Sequence, residues 1–313
     1  MSKSPQPPSS SPPSDPARAA LVGAMPAVFV LLWSTGFIGA RLVLPYSEPL
    51  TFLALRFALT TVIFLPLVWW SRARWPSTPA QAGHAAVSGL LLHGVYLGGV
   101  FSAIEAGMPA GIAALIVGLQ PLVTALAVGP LLGERVSARQ WLGLVLGFGG
   151  VAMVLGDRLA PSADLLFEGF GLGAVLATGA ALLGITAGTL YQKRFCGGLD
   201  PRPGAVIQFS AATVAMGALA LLTGEDGTIA WTAEFLFGLA WLVVVLSVGA
   251  VTLLMVMIRM GEAARVASLF YLVPPVTALV AWALFNETLG TLALTGMGVA
   301  VLGVLLVIRS GRR

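Results

Sequence analysis

Apolar residues in this chain come in long unbroken runs, not in the alternating or three-and-four spacing that gives an element one buried face. Runs of membrane-spanning length, about 20 residues, fall near 20–42, 50–70, 84–106, 109–132, 138–156, 169–191, 203–222, 233–258, 263–285 and 291–309. Short polar or Gly/Pro turns separate them: Arg72 and Arg74, Gly133-Glu134-Arg135, Asp157-Arg158, Lys193-Arg194, Glu225-Asp226, and Arg259 with Glu262. Interruptions this short force consecutive helices to run up and down as antiparallel neighbours. The pattern therefore predicts an all-α membrane protein of ten transmembrane helices. Ahead of the first run, Met1 to Ala17 is rich in Pro and Ser and has no apolar period; residues 1–18 are expected to form a disordered cytoplasmic tail. A signal peptide is the competing reading. Against it, the apolar run after Lys3 and Arg18 continues for about a bilayer's length without a small-residue cleavage pattern.

Composition agrees with lipid as the solvent for most of the surface. Of 313 residues 58% are hydrophobic and 10% charged, with a mean hydropathy of +0.94, where soluble chains carry roughly a quarter charged residues. Cys196 is the only cysteine, which rules out an intramolecular disulfide and a cysteine-based metal site. The net charge of +4 lies between apolar spans and forms no single patch, so it marks topology and not a nucleic-acid partner. Positive residues near span ends resist translocation and collect in the cytoplasm. With both termini inside, the cytoplasmic set is Lys3, Arg18, Arg72, Arg74, Arg135, Arg139, Lys193, Arg194, Arg202, Arg259, Arg265, Arg309, Arg312 and Arg313, or 14 of 17 basic residues. A missed or invented span would move every later loop to the other side. Ten spans with N-terminus and C-terminus cytoplasmic, in the cell (inner) membrane, is the arrangement this bias predicts.

The segment Leu119 to Glu134, LQPLVTALAVGPLLGE, recurs as Leu272 to Glu287, LVPPVTALVAWALFNE, at an offset of 153. At the same offset Gly143 falls on Gly296 and Gly150 on Gly303, and a weaker echo sets Leu55-Arg56-Phe57 against Ile207-Gln208-Phe209. A duplication, with one copy over 19–157 and the other over 166–309, accounts for these matches. Five spans per copy is an odd number, so the second copy enters the membrane from the opposite side. The loops agree: Arg135 and Arg139 follow the fourth span while nothing basic follows Glu287, and Arg259 and Arg265 flank a turn whose first-half counterpart carries no basic residue. Two inverted five-helix repeats are the architecture of secondary transporters, which bind substrate near the midplane between halves.

At this point the chain resembles the drug/metabolite transporter superfamily in its ten-helix form with two EamA-type domains. The likeness rests on Trp33-Ser-Thr-Gly-Phe37, on Pro49 with Ala54-Leu-Arg-Phe57, and on the Pro121 to Glu134 and Pro274 to Glu287 blocks. It covers nearly everything after the tail. The resemblance implies an exporter or exchanger of small metabolites, amino acids or drugs that works by alternating access through a central cavity. It does not identify a substrate.

Six residues are candidates for substrate binding: Trp33, Arg56, His93, Tyr96, Gln120 and Tyr271. A guanidinium about 10 Å inside a helix end needs a partner or a wet cavity. Arg56 either anchors an anionic group such as a carboxylate, pairs with Glu105 at a similar depth, or snorkels to the interface. Gln120 precedes Pro121 near the middle of the fourth span, and Tyr271 lies one turn before Pro274 and Pro275 in the ninth. Proline removes a backbone donor, and broken helices at membrane depth are tolerated beside protein or a cavity. His93 and Tyr96 share a helix face; the histidine is a proton relay or a neutral packing residue. Trp33, with Ser34 and Thr35, reads as an aromatic wall with hydroxyl donors or as packing. Gln208, the counterpart of Arg56, and Tyr191 with Gln192 have interfacial readings of at least equal weight. Glu134 and Glu287 read as structural, each opening the next helix. Gly143, Gly147, Gly149, Gly150, Gly296 and Gly303 let helix backbones approach closely, within the bundle or at the face of a homodimer.

The rival classes are a membrane-embedded enzyme and a receptor. The chain has no HExxH, no GxSxG and no intramembrane Asp pair, and only His84 and His93 as histidines. A receptor gains nothing from inverted duplication. No cofactor is expected; the expected partners are a small-molecule substrate and the lipid bilayer. Glu105 and His93 are the only candidates for proton coupling, and the exposed depth of Glu105 favours a facilitator or exchange driven by the substrate gradient.

Overall fold

Helix starts are set by side-chain caps with proline in the first turn. Thr78 accepts from the Gln81 amide ahead of Pro79, and Asp200 accepts from the Arg202 amide ahead of Pro201, which satisfies amides that have no partner inside the helix. Helix ends at Gly133 and Gly224 use the left-handed backbone that glycine adopts without strain. The computed structural model describes residues 16–36, 43–108, 113, 116–159, 170–260, 263–276, 279–280 and 290–309. The tail ahead of residue 16, Arg41 and Glu287 lie outside them.

The helices are α1 (Pro16–Ser34), α2 (Pro49–Trp70), α3 (Pro79–Glu105), α4 (Gln120–Leu132), α5 (Ala138–Leu159), α6 (Leu172–Phe195), α7 (Pro201–Thr223), α8 (Ala233–Met260), α9 (Ala263–Ser268, continued by a 3₁₀ turn Leu269–Leu272) and α10 (Thr291–Arg309). Among the described residues, α2, α3, α6, α7, α8 and α10 are each long and apolar enough to cross a bilayer, and shorter apolar helices fall at the other four predicted spans. The third span begins at Pro79, five residues before the apolar run, because the Thr78 cap carries the helix through a polar first turn.

The surface is apolar and the interior holds the polar groups, the reverse of a soluble protein. Leu126, Leu176, Val214 and Leu302 are all more than half exposed, while Arg56, His93, Gln120, Gln192 and Gln208 are buried. Lipid must cover the former.

Helix packing follows a pseudo-two-fold. α5 packs most extensively on its repeat mate α10, α2 on its mate α7, and α4 on its mate α9; α3 against α6 is matched by α8 against α1. Glycines fix the register of the α5–α10 crossing. A Cβ at Gly143 would lie 2.6 Å from the Gly303 carbonyl oxygen, and one at Gly296 would lie 2.7 Å from that of Gly150. Each of these contacts is the symmetry image of the other. As the number rises on α5 it falls on α10, so the mates are antiparallel and the second repeat is inverted. Gly147 is filled by the ring of Tyr271, and a Cβ at Gly149 would meet nothing within 4 Å. Gly143, Gly147, Gly150, Gly296 and Gly303 are thus spent on packing inside the chain.

Both repeats also carry a π-helical segment at the same register, Leu90–Val95 in α3 and Leu242–Ala250 in α8. Their starts are separated by the same 152 residues that relate Arg56 to Gln208. A single-turn π insertion widens the helix locally and re-aims side chains, and such segments concentrate at functional sites.

Candidate functional site

Two cavities adjoin inside the bundle. The larger is lined by residues including Trp33, Arg56, His93, Tyr96, Phe209 and Ser247. The second is lined by residues including Trp33, Tyr96, Val117, Gly118, Gln120 and Tyr271. Trp33, Tyr96, Val100, Ile104 and Ile185 line both. All six residues singled out in the sequence therefore come together around one central hollow, although they are spread over α1, α2, α3, α4 and the turn of α9.

Local irregularities deliver these side chains. The π segment of α3 contains His93, and that of α8 contains Ser247. Arg56 is 5% exposed, and its Nε donates to the Ser247 hydroxyl at 3.0 Å. The Glu105 pairing is not formed: Glu105 is exposed at the end of α3, where it shares the rim with Glu48 and Glu225. A similar depth did not bring the two side chains to the same side of the helix pair. Snorkelling is also excluded, because the guanidinium is enclosed.

The fourth and ninth helices break where the prolines required. Gly118-Leu119 forms a turn ahead of Gln120 and Pro121, and Leu269–Leu272 tightens to 3₁₀ ahead of Pro274. These breaks place Gln120 and Tyr271 on the second cavity. The Gln120 amide nitrogen donates to Thr124 at a long 3.4 Å. Four buried polar atoms have no hydrogen-bond partner among the described residues: His93 Nε2, Gln120 Oε1, Gln208 Oε1 and Tyr271 Oη. Three of the four belong to cavity-lining side chains, where a solute can supply the missing bond.

His93 stacks on Phe209, with ring centroids 4.3 Å apart, and also faces Phe57 at 5.9 Å. Phe57 and Phe209 are repeat mates that meet each other at 5.8 Å. Trp33 packs in a trio with Phe29 and Phe270. The hydroxyls beside Trp33 serve packing: Ser34 donates to the Val30 and Val273 carbonyls, and Thr35 accepts from Trp241 Nε1 at 3.0 Å.

Both termini belong to one end of the bundle, the terminal end, and a polar layer closes the interior there. Ser88 Oγ and Gln208 Nε2 both donate to Gln192 Oε1, at 2.6 and 2.9 Å. Gln192 and Gln208 are therefore interior, not interfacial. A Cβ at Gly89 would collide with the backbone of Gln208, so this glycine allows α3 to seal against α7. His84 contacts the Tyr191 hydroxyl at 2.7 Å one layer further out. Glu134 does not open α5. Ser137 and Gln140 form a reciprocal capping box there, and Glu134 pairs with Lys193 at 2.9 Å.

Ser247 and the two π segments had no place in the sequence reading of the site, and Gln192 and Gln208 entered it only with interfacial readings of at least equal weight. One signal was available: Ser247 and Thr252 are the only polar residues in the interior of the most apolar span.

A profile of the EamA-like transporter family matches residues 21–156 and 171–309. The chain is 28% identical over 291 residues to a protein named "Uncharacterized inner membrane transporter YedA" of Escherichia coli, covering 92% of this chain and 90% of that one. It is 26% identical over 285 residues to "Uncharacterized transporter YvbV" of Bacillus subtilis, covering 90% and 89%. It is 27% identical over 291 residues to "Probable amino-acid metabolite efflux pump" of Salmonella typhimurium, covering 90% and 93%. A chain of known crystal structure has the same fold, with a TM-score of 0.74 over 94% of this chain and 99% of that one at 21% identity. With the family profile covering both halves of a ten-helix, twofold-repeated bundle, the chain belongs to the EamA-like transporter family.

Proposed function

We propose that this chain is a secondary transporter that exports or exchanges small metabolites, amino acids or drugs by alternating access. In this reading the five-helix units 19–157 and 166–309 rock about a site built from Trp33, Arg56, His93, Tyr96, Gln120 and Tyr271. The observation that carries it is a pair of adjoining cavities lined by both repeats, with unpartnered polar atoms on their walls.

Access is unequal at the two ends. Residues 92–104 of α3 line the hollow in the half of the bundle remote from the chain ends, and Val251, Leu254 and Met255 of α8 line it in the other half. On the terminal side the Ser88–Gln192–Gln208 layer separates it from a smaller cavity lined by Asp200, Gly204 and Arg259. Met255 borders both. With the termini cytoplasmic, as the distribution of Lys and Arg predicts, we read this as an outward-facing arrangement whose inward-facing counterpart follows from the repeat symmetry.

The test is solute counterflow in proteoliposomes, screened over labelled metabolites, amino acids and drugs. At least one is expected to exchange faster than in protein-free vesicles, and Tyr96→Ala is expected to reduce that rate. Exchange no faster than the lipid background across the whole screen would contradict transport.

A further inference from the structure

We infer that the central cavity selects a net-negative solute, a monocarboxylate with an apolar body whose carboxylate sits on the two terminal nitrogens of Arg56. The inference rests on the reading of the cavity as the solute site and adds the charge class to it.

The charge balance of the hollow carries the argument. Arg56 is the only charged residue among the described residues that line either chamber. Its single hydrogen bond, from Nε to Ser247, occupies one edge of the guanidinium. Arginine offers five N–H donors in a planar fork, so the N–H groups on the two terminal nitrogens have no acceptor among the described residues. That fork fits a carboxylate in a bidentate way. A buried, half-bonded cation is costly to hold in a low-dielectric site, and a bound anion offsets that cost. The Ser247 bond fixes the plane of the guanidinium, so the free edge is presented in one orientation.

The rest of the wall decides between carboxylates. Leu92, Leu97, Val100, Phe101 and Leu246 give the larger chamber an apolar surface, which suits a hydrocarbon or aromatic body. A zwitterionic amino acid would bring an ammonium group into the same hollow. Among the described residues the lining contains no carboxylate to receive it, only neutral groups such as Gln120 Oε1 and the Tyr271 hydroxyl. A zwitterion thus leaves the site with one uncompensated positive charge, whereas a monoanion leaves it neutral. A cation of the same body meets Arg56 with like charge and is disfavoured most.

Three probes share one body and differ in charge: 3-phenylpropionate, L-phenylalanine and 2-phenylethylammonium. Binding of each to the purified full-length chain is measured by titration calorimetry, and counterflow of each is measured in proteoliposomes. The expected order of affinity is 3-phenylpropionate, then phenylalanine, then 2-phenylethylammonium, with the first step at least about tenfold. Arg56→Gln is expected to abolish the preference for 3-phenylpropionate, and Arg56→Lys to restore part of it. Should Arg56→Gln fail to fold, Ser247→Ala loosens the guanidinium without removing it, and it is expected to weaken 3-phenylpropionate more than phenylalanine. Phenylalanine or 2-phenylethylammonium binding as tightly as 3-phenylpropionate would overturn the inference. So would the absence of 3-phenylpropionate binding, or full affinity in a folded Arg56→Gln protein. Arg56-dependent binding of 3-phenylpropionate without counterflow upholds the charge selectivity and contradicts transport; counterflow of another solute class without carboxylate binding does the reverse.

Discussion

Replacing Gly303 by alanine tests the helix crossing on which the pseudo-symmetry turns. A Cβ there would run into the backbone of Gly147 and Gly143 on α5, and the reciprocal Cβ at Gly150 would lie 2.6 Å from the Gly296 carbonyl oxygen and 2.8 Å from Ala300 Cα. Comfortable separations are about 3.5–4.0 Å, so each added methyl pushes α5 and α10 apart by about 1 Å. The atoms struck are backbone, which cannot rotate away. A gap of that size forfeits a quarter to a half of the dispersion energy along the crossing, and overpacking of this kind costs about 1–3 kcal/mol. Once one methyl has separated the helices a second meets less resistance, so Gly150→Ala with Gly303→Ala is expected to cost less than the sum of the singles. Gly149 and Gly298 have nothing within 4 Å, and Gly149→Ala is expected to be neutral or stabilising because alanine favours the helix. Thermal unfolding of detergent-solubilised protein, followed by size-exclusion fluorescence, reads all four variants. An unchanged melting temperature in Gly303→Ala, or a larger loss in Gly149→Ala, would refute the crossing.

Other outcomes follow from single contacts. Ser247→Ala leaves the buried Nε of Arg56 without an acceptor and is expected to lose about 1–3 kcal/mol of stability; Arg56→Met removes the buried cation and is expected to be as stable as the parent or more so. Melting curves that rank these two the other way would contradict the placement of Arg56. Gly147→Ala puts a methyl against the Tyr271 ring, so solute flux is expected to fall further than in Gly149→Ala at matched protein amounts. At the start of α7, Arg202 beside Asp200 holds its carboxyl below the usual 3.8. The stabilisation from a depressed carboxyl is present above its unfolded value and is lost as pH falls through the folded one. The melting-point difference between the parent and Asp200→Ala is therefore expected to hold at pH 7 and close below about pH 4.

Much of this architecture was legible in the sequence because membranes make two demands that leave plain marks. Spans need about 20 apolar residues, and the echo of Leu119–Glu134 in Leu272–Glu287 preserved Pro and Glu at positions where apolar drift does not. The six candidate residues were visible as polar or aromatic groups at membrane depth, and all six line the hollow. Their partners were less legible. Residue counting gives depth along a helix but not direction around it, and so Glu105 looked as suitable for Arg56 as Ser247 proves to be. The π segments Leu90–Val95 and Leu242–Ala250 contain no proline; one extra residue in a turn leaves no trace in an all-apolar run. Glu134 stands beside a helix start, yet the Ser137–Gln140 box three residues on takes the cap. That signature is readable once serine and glutamine are weighed above the nearer charge.

The central claim is that two related five-helix units lie head to tail in the bilayer. Ser137 and Gly290 occupy equivalent positions ahead of α5 and α10, so single cysteines placed there in a Cys196→Ser background report the sidedness of each unit. With a membrane-impermeant maleimide on intact cells, the cysteine at 290 is expected to be labelled and the one at 137 to be protected until the membrane is opened. Labelling of both from the same side would contradict the inverted repeat.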